Sequence, residues 1–186
     1  MHAWTDEEAC DDRALVDALR AREPSAPRVL VERYQRLVFG LCARMLGDRH
    51  EAEDAAQETF LRALRSIDGF DRARRLRPWL LGIAANQCRT SLQKRSRRPR
   101  LSPELFEAVD ARILDDVDDL AGALGAALAR LRPDYRLVFI LYHEQHLPYD
   151  EIARAAGRPI GTVRTWLHRA RQELASMLAE FDDGDS

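Results

Sequence analysis

The strongest constraint on the fold lies in residues 147–174, LPYDEIARAAGRPIGTVRTWLHRARQEL, where two amphipathic segments flank a glycine. The apolar residues of the first segment recur at helical spacing, at Ile152, Ala153 and Ala156. Gly157 follows where the end of a helix favours a residue that tolerates positive φ. The stretch therefore predicts a helix that ends at a tight turn.

The second segment predicts a helix with one apolar and one polar face, and Gly161-Thr162 offers it an N-cap hydroxyl. Its apolar residues fall within a narrow arc at 3.6 residues per turn: Val163, Leu167, Ala170 and Leu174. The opposite arc carries hydrogen-bond donors and cations: Arg164, Thr165, His168, Arg169, Arg171 and Gln172. A helix-turn-helix with such an outer face fits a DNA major groove, and the alternative is a solvated amphipathic hairpin.

Composition is that of a soluble globular protein, because 46% of the 186 residues are hydrophobic and 32% are charged. Residues 1–25 lack the apolar core of a signal peptide, and no run approaches the roughly 18 apolar residues of a membrane span. We therefore expect a cytoplasmic protein with no membrane insertion of its own. Cys10, Cys42 and Cys88 are far apart, which favours reduced thiols over a zinc site or a disulfide framework.

The net charge of −2 hides two blocks of opposite sign. Residues 72–100 contain ten basic residues and no acid, which is typical of a surface that binds a polyanion. Residues 104–119 contain seven acids against Arg112 alone, which is typical of an acidic tail, a linker or a nucleic-acid mimic.

Helical periodicity recurs along the rest of the chain, and neither strand alternation nor an internal repeat is visible. The predicted helices are a short one around Leu15–Leu19, then Val29 to about Gly47, Arg49–Ser66, a helix from about Pro78 into the basic block, 120–132, and Pro133–Leu141. The fold class is therefore expected to be all-α, with two small helical domains joined by a linker and a helix-turn-helix ending the second.

Three segments, taken in order, resemble the extracytoplasmic-function (ECF) sigma factors of bacterial RNA polymerase. They are VERYQRLVFGLCARMLGDRHEAEDAAQETFLRAL, PWLLGIAANQCRTSLQKRSRR and LRPDYRLVFILYHEQHLPYDEIARAAGRPIGTVRTWLHRARQEL. The resemblance spans about residues 28–178. It implies an acidic N-terminal extension over 1–25, a sigma region 2-like domain over 26–98, an acidic linker over 99–122 and a sigma region 4-like domain over 123–180.

In this family the helix that holds EAEDAAQETF docks on the coiled-coil clamp of the polymerase's largest subunit. The resemblance assigns that contact to one helical face, opposite Ala52, Ala56 and Phe60, formed by Asp54, Gln57 and Glu58. The alternative is an ordinary solvated face.

The resemblance also implies a site for the minus-ten promoter element. The loop over residues 66–77 corresponds to the family's segment that captures a flipped base, and the following helix faces the melted strand. The candidate residues are Phe70, Arg74, Arg75, Arg77, Asn86, Arg89 and Lys94.

Trp79 could be a stacking platform, but it is in phase with Leu80 and Ile83, which favours a place in the core. Thr90 stands where the family commonly has an acid.

The second helix of the helix-turn-helix matches the family's reader of the minus-thirty-five element. The positions that match base-reading residues are Arg164, Thr165, His168 and Arg169, and Arg171 is expected to reach a phosphate. Two residues depart from the family pattern. Pro148 stands where a capping serine is usual, and Trp166 replaces a basic residue and is expected to pack.

The resemblance implies a promoter-recognition subunit whose partners are core RNA polymerase, promoter DNA and an anti-sigma factor. No metal-ligand cluster, nucleophile–base pair or phosphate-binding glycine loop is visible in the sequence, so we expect neither an enzyme nor a cofactor. The linker would thread the polymerase's active-site cleft. Two alternatives are a helix-turn-helix regulator that binds DNA on its own and a sigma-like decoy for an anti-sigma protein.

Overall fold

The computed structural model describes residues 6–97 and 119–182, and all regular structure in these ranges is helical. The helices are α1 (Asp6–Arg20), α2 (Ala26–Leu46), α3 (Arg49–Ser66), α4 (Leu76–Arg97), α5 (Asp119–Arg130), α6 (Pro133–Phe139), α7 (Tyr149–Ala156) and α8 (Ile160–Asp182). The all-α prediction is confirmed. The acidic strip up to residue 118 and the basic residues 98–100 lie outside the described residues.

Helices α2, α3 and α4 pack against one another and form the first domain. Gly47 ends α2 in the left-handed region, with a φ of 68°, and its N–H donates to the carbonyl oxygen of Ala43 at 2.9 Å. The next residue, Asp48, begins α3 by accepting a hydrogen bond from the backbone N–H of Glu51 at 2.7 Å. The sharp connection follows from these two adjacent caps.

The acidic N-terminal extension contributes a helix to the core of the first domain. Leu15, Val16 and Leu19 of α1 are buried in the same cluster as the apolar face of α2. The carboxylate of Asp12 is also buried, and it accepts a hydrogen bond from the hydroxyl of Tyr34 at 2.6 Å. Burial raises the pKa of Asp12 above its ordinary value.

Helices α5, α6 and α7 pack against α8 in the second domain. Gly157 ends α7 with a φ of 63°, as its position in the sequence predicts, and Pro148 occupies the N-cap of α7. The predicted capping role of Thr162 is wrong. Helix α8 begins at Ile160, so Thr162 lies in its first turn and its N–H donates to the carbonyl oxygen of Pro159 at 3.0 Å.

The sequence predicts a helix from Pro133 through Leu141, but the α-helical part is shorter. Helix α6 ends at Phe139, and one π-helical turn follows over Ile140–Glu144. His146 then adopts a φ of 51°, which is uncommon for a residue with a side chain. These features turn the chain sharply into α7.

The two domains share one hydrophobic core instead of lying apart. Buried residues of α6, α7 and the start of α8, among them Ile152 and Val163, join the cluster formed by α1–α4. Helices α4 and α7 approach closely, since a Cβ placed on Gly82 would lie 3.3 Å from the Cα of Ala155. The buried guanidinium of Arg136 spans the junction as well, because it donates to the carbonyl oxygen of Met45 at 2.7 Å.

Candidate polymerase and nucleic-acid interface

The predicted docking face on α3 is accessible. Asp54 and Gln57 are exposed, whereas Glu58 is half-buried and accepts a hydrogen bond from Nε of Arg62 at 2.9 Å. This bond holds the pKa of Glu58 below its ordinary value. Leu61 lies on the same face with 40% of its surface exposed, and the sequence analysis missed it. The sequence could have indicated Leu61, because it is an apolar residue that lies on the helical face opposite Ala52, Ala56 and Phe60.

The predicted base-capturing loop contains a short 3₁₀ turn over Ile67–Gly69, and Phe70 follows that turn. Only 5% of Phe70 is exposed, and its ring centroid lies 4.8 Å from that of Trp79. Phe70 therefore anchors the loop on α4 and does not offer its ring to a base in this conformation. Trp79 packs against the core, as its helical phase predicts.

Three of the predicted minus-ten arginines contact the second domain. Nη2 of Arg77 donates to Oε1 of Gln145 at 2.9 Å, and Nε of Arg75 lies 3.9 Å from a carboxylate oxygen of Glu151. Nη2 of Arg89 donates to the carbonyl oxygen of Ala156, the last residue of α7, at 2.9 Å. The second domain thus covers part of the surface that is predicted to hold the melted strand.

Arg89 is also the most constrained of these arginines. Its Nη1 donates to Oδ1 of Asn86 at 3.1 Å, and its Nε lies 3.7 Å from a carboxylate oxygen of Asp134. Burial lowers the pKa of Arg89. Binding DNA through Arg89 would require this set of contacts to break.

The remaining minus-ten candidates lie at different places. Arg74 is exposed on the loop, with Nε 3.4 Å from a carboxylate oxygen of Asp71. Lys94 is exposed farther along α4 and lines a groove with Asp54 and Glu58 of the docking face. The structure therefore does not bring the seven candidates together on one open surface.

A cavity separates α1, the loop and the start of α7. Its volume is about 300 Å³, and arginines from the loop line it opposite Glu151. Burial raises the pKa of Glu151, and its Oε2 has no hydrogen-bond partner among the described residues. This buried carboxylate is not predicted from the sequence, because a glutamate in the first turn of a helix is ordinarily exposed to solvent.

The predicted recognition face of α8 is open, since its apolar side is buried and all five candidate side chains are exposed. The exposed residues are Arg164, Thr165, His168, Arg169 and Arg171. Trp166 packs as predicted: it is half-buried, its ring centroid lies 6.4 Å from that of Tyr135, and Arg158 lies over it.

Aromatic side chains support the arginines of this face. The guanidinium carbon of Arg164 lies 5.7 Å from the ring centroid of Tyr149, and that of Arg171 lies 5.1 Å from the ring centroid of Tyr142. Nη1 of Arg169 is 3.2 Å from the hydroxyl oxygen of Tyr135. None of these three tyrosines is among the residues that the sequence predicts for this face.

The sequence matches place both domains in one family. Residues 30–98 match the family model described as Sigma-70 region 2, and residues 121–174 match that described as Sigma-70, region 4. The ECF RNA polymerase sigma factor SigW of Bacillus subtilis (strain 168) is 32% identical over 165 residues, which cover 82% of this chain and 88% of SigW. This chain belongs to the ECF sigma factors.

Further relatives of this ECF sigma factor match over similar lengths. The RNA polymerase sigma-H factor of Pseudomonas aeruginosa is 31% identical over 182 residues, covering 90% of this chain and 93% of the relative. Among solved structures, CnrH in complex with the cytosolic domain of CnrY matches with a TM-score of 0.66 at 25% identity, covering 94% of this chain and 99% of CnrH. None of the helices within residues 6–97 and 119–182 combines the length and the apolar character that a membrane span needs.

Proposed function

We propose that this sigma factor docks on core RNA polymerase through the exposed face of α3 and reads promoters with two separate surfaces. The loop between α3 and α4, together with α4, holds the minus-ten strand, and the outer face of α8 reads the minus-thirty-five element. The observation that carries the proposal is the open recognition face of α8, whose five candidate side chains are exposed on a helix-turn-helix. The sigma factor acts by binding, without catalysis, and works in the cytoplasm where its polymerase and promoters are.

The closed arrangement of the domains supports a dependence on the polymerase. The second domain largely covers Arg89, whose side chain donates to Ala156 and Asn86 and is only 21% exposed, and Gly82 packs directly on Ala155. The first domain therefore has to separate from α7 before it can hold a DNA strand. Core polymerase, which docks on the accessible α3, is the partner that stabilises the open arrangement.

An anti-sigma factor is the third proposed partner. The similar chain CnrH was solved in complex with the cytosolic domain of another protein, CnrY. A binding partner of that kind would act on this sigma factor by holding it away from core polymerase.

The decisive experiment is transcription in vitro with purified core polymerase and a promoter library. We expect transcripts that depend on the sigma factor and start downstream of a shared sequence. Specific DNA binding without core, and no transcripts with it, would favour an independent helix-turn-helix regulator. Failure in both assays, with tight binding to an anti-sigma protein, would favour a decoy.

The docking face on α3 can be tested with a pair of double variants, one on α3 and a matched control on α2. Asp54→Ala combined with Gln57→Ala removes a carboxylate and an amide three residues apart. Hydrogen bonds to charged groups contribute about 1.5–3 kcal/mol each, so we expect core affinity to fall at least about tenfold in a titration.

The control is Glu32→Ala combined with Gln35→Ala, which removes the same two groups at the same spacing from the exposed side of α2. Core affinity should not change in this variant. Equal losses in the two double variants, or no loss in either, would exclude α3 as the docking helix.

A further inference from the structure

Helix α1 contacts the minus-ten loop directly through Arg20, its last residue. Nε of Arg20 donates to the carbonyl oxygen of Ile67 at 3.3 Å, and Nη2 donates to the carbonyl oxygens of Asp68, at 3.2 Å, and Phe70. One guanidinium thus binds three backbone oxygens of a single turn. These oxygens lie 47 to 50 residues away along the chain.

The three carbonyl groups belong to a segment with little regular structure of its own. The 3₁₀ turn has three residues, and the N–H of Phe70 donates to the carbonyl oxygen of Ile67 at 3.1 Å. A single turn of this kind has few internal hydrogen bonds and is marginal without outside support. Arg20 provides that support with the planar, multiply donating group that suits several acceptors at once.

Two further contacts join α1 and the chain after it to the same segment. Nη2 of Arg72 lies 2.5 Å from a carboxylate oxygen of Asp17, and Nη2 of Arg22 lies 2.5 Å from one of Asp68. Both pairs are largely exposed, so each contributes little by itself. One pair binds Asp68 within the turn and the other binds Arg72 just after it, so both join this segment to α1 and the chain that follows α1.

On the other side the loop is fixed to α4. The buried ring of Phe70 lies against Trp79, so the turn is held between α1 and α4. Removing Arg20 would take a donor from all three carbonyl groups and leave only the two exposed ion pairs among the polar contacts described between this segment and α1 with the chain after it. The family match to region 2 begins at residue 30, so α1 lies before the matched segment.

We propose that Arg20 is a positioning residue for promoter recognition, which sets the conformation of the minus-ten loop before DNA arrives. The inference rests on the proposed function, in which this loop captures a base of the melted strand. Arg20 does not touch the DNA. It fixes the backbone from which Arg74 and its neighbours project, so that the ordering of the loop precedes DNA binding.

The first measurement is hydrogen exchange on the free protein, which does not depend on transcription. In Arg20→Gln the amides of Phe70, Ala73 and Arg74 should exchange about tenfold faster or more, because the turn opens more often. The matched control is Arg22→Gln, two residues further on, which loses only an exposed ion pair and should exchange like the wild type. Unchanged exchange in Arg20→Gln would overturn the inference.

The second measurement uses core polymerase and a promoter carrying 2-aminopurine in the non-template minus-ten strand. We expect Arg20→Gln to bind core as the wild type does, but to give about tenfold less base-capture fluorescence and a relaxed minus-ten preference in a library. Preference at the minus-thirty-five element should stay unchanged. Arg20→Lys, which keeps the charge but loses the planar fork, should be intermediate.

The outcomes separate this inference from the function on which it rests. If the wild type initiates and Arg20→Gln keeps the wild-type minus-ten profile, Arg20 does not position the loop for DNA. If the wild type does not initiate with core, the proposed function fails and this inference fails with it. Should Arg20→Gln not fold by circular dichroism, Arg20→Lys replaces it and should shift the same profile in the same direction by a smaller factor.

Discussion

The two basic surfaces of this sigma factor differ in what their arginines contact. On the first domain, Arg77 and Arg89 donate to oxygen atoms of the second domain. On α8, Arg164 and Arg171 lie over tyrosine rings, and Nε of Arg171 also donates to Nε2 of His143 at 3.2 Å. An oxygen acceptor competes with DNA for the N–H groups of a guanidinium, whereas a ring contacts its face and leaves the N–H edge available. The first surface therefore has to be released from the other domain before it binds, whereas the α8 surface is exposed and its competing acceptors, Tyr135 and His143, lie within its own domain.

The largest effects should come from the open surface. Arg164→Ala and Arg169→Ala should each relax the preference at particular minus-thirty-five bases, because an arginine that binds guanine contributes roughly 1–3 kcal/mol, or about 5- to 150-fold. Arg171→Ala should lower output evenly across a promoter library, as the loss of a phosphate contact does.

This comparison also tests the placement of α8 in the groove. If Arg171→Ala alone shifts base preference, α8 is rotated in the groove relative to the placement proposed here. If none of the three variants affects transcription, the assignment of α8 to the minus-thirty-five element is wrong.

A somewhat smaller effect should follow from forcing the domains apart. Gly82→Leu places a side chain where even a Cβ meets Ala155 at 3.3 Å, and Arg89 should be released with α7. We expect the free protein to bind a minus-ten single strand about tenfold more tightly in fluorescence anisotropy. The variant no longer has to spend roughly 1.4 kcal/mol on separating the two domains before it binds.

Gly40→Leu is the control, because it adds the same side chain to a helical glycine with no atom within 4 Å of the new Cβ. It should leave single-strand affinity unchanged. Equal affinity of Gly82→Leu and the wild type would mean that the second domain does not limit access to the first surface.

The aromatic support on α8 predicts a few-fold effect. Replacing Tyr149 by leucine removes the ring under Arg164, and exposed cation–π contacts contribute about 0.5–1 kcal/mol. Duplex affinity on core polymerase should therefore fall about two- to fivefold. Tyr149→Phe keeps the ring and should behave like the wild type. A loss of the same size in both variants would assign the effect to the hydroxyl group.

The smallest expected effect is a pH dependence at the junction of the domains. Burial raises the pKa of Glu151, which faces Arg75, Arg77 and Arg154 as well as Asp150. The closed state therefore binds the proton more tightly than the unfolded chain does, so this contribution to stability is greatest below the ordinary pKa of glutamate, near 4.5. It is lost as the pH rises from there through the raised value.

Glu151→Gln should flatten that part of the curve of unfolding free energy against pH. Denaturant titrations of both proteins between pH 4.5 and 7 measure it, and the difference between them isolates Glu151 from Asp12 and Glu144, whose pKa values burial also raises. Parallel curves would show that Glu151 is solvated in solution.

Local signals in the sequence were sufficient to predict most of the helices. Gly47 marks the start of α3 and Gly69 follows its end, and the predicted helix over Arg49–Ser66 agrees with the structure at both ends. Gly157 has the left-handed conformation that its place after an apolar repeat indicates. The start of α8 was misjudged because the carbonyl oxygen of Pro159 accepts the first N–H groups, a role that the sequence analysis gave to Thr162.

The candidate site was less predictable, because periodicity shows which face of a helix is apolar but not which element covers it. Nothing local distinguishes Arg89, which contacts α7, from Lys94, which is exposed on the same helix. Phe70 is an aromatic residue in the predicted base-capturing loop, but it is buried in the core and its ring packs on Trp79. The tyrosines beside α8 come from three separate elements, so their convergence depends on the tertiary fold.

The packing of α1 has a practical consequence for anyone who builds hybrid sigma factors from two parents. A junction at residue 30, where the family match begins, would join α1 of one parent to the minus-ten loop of the other. The pairs Asp12–Tyr34 and Asp17–Arg72 would then be split between parents. A junction placed before Asp6 keeps each helix with the loop it evolved beside, so promoter specificity should be exchanged as a unit that includes α1.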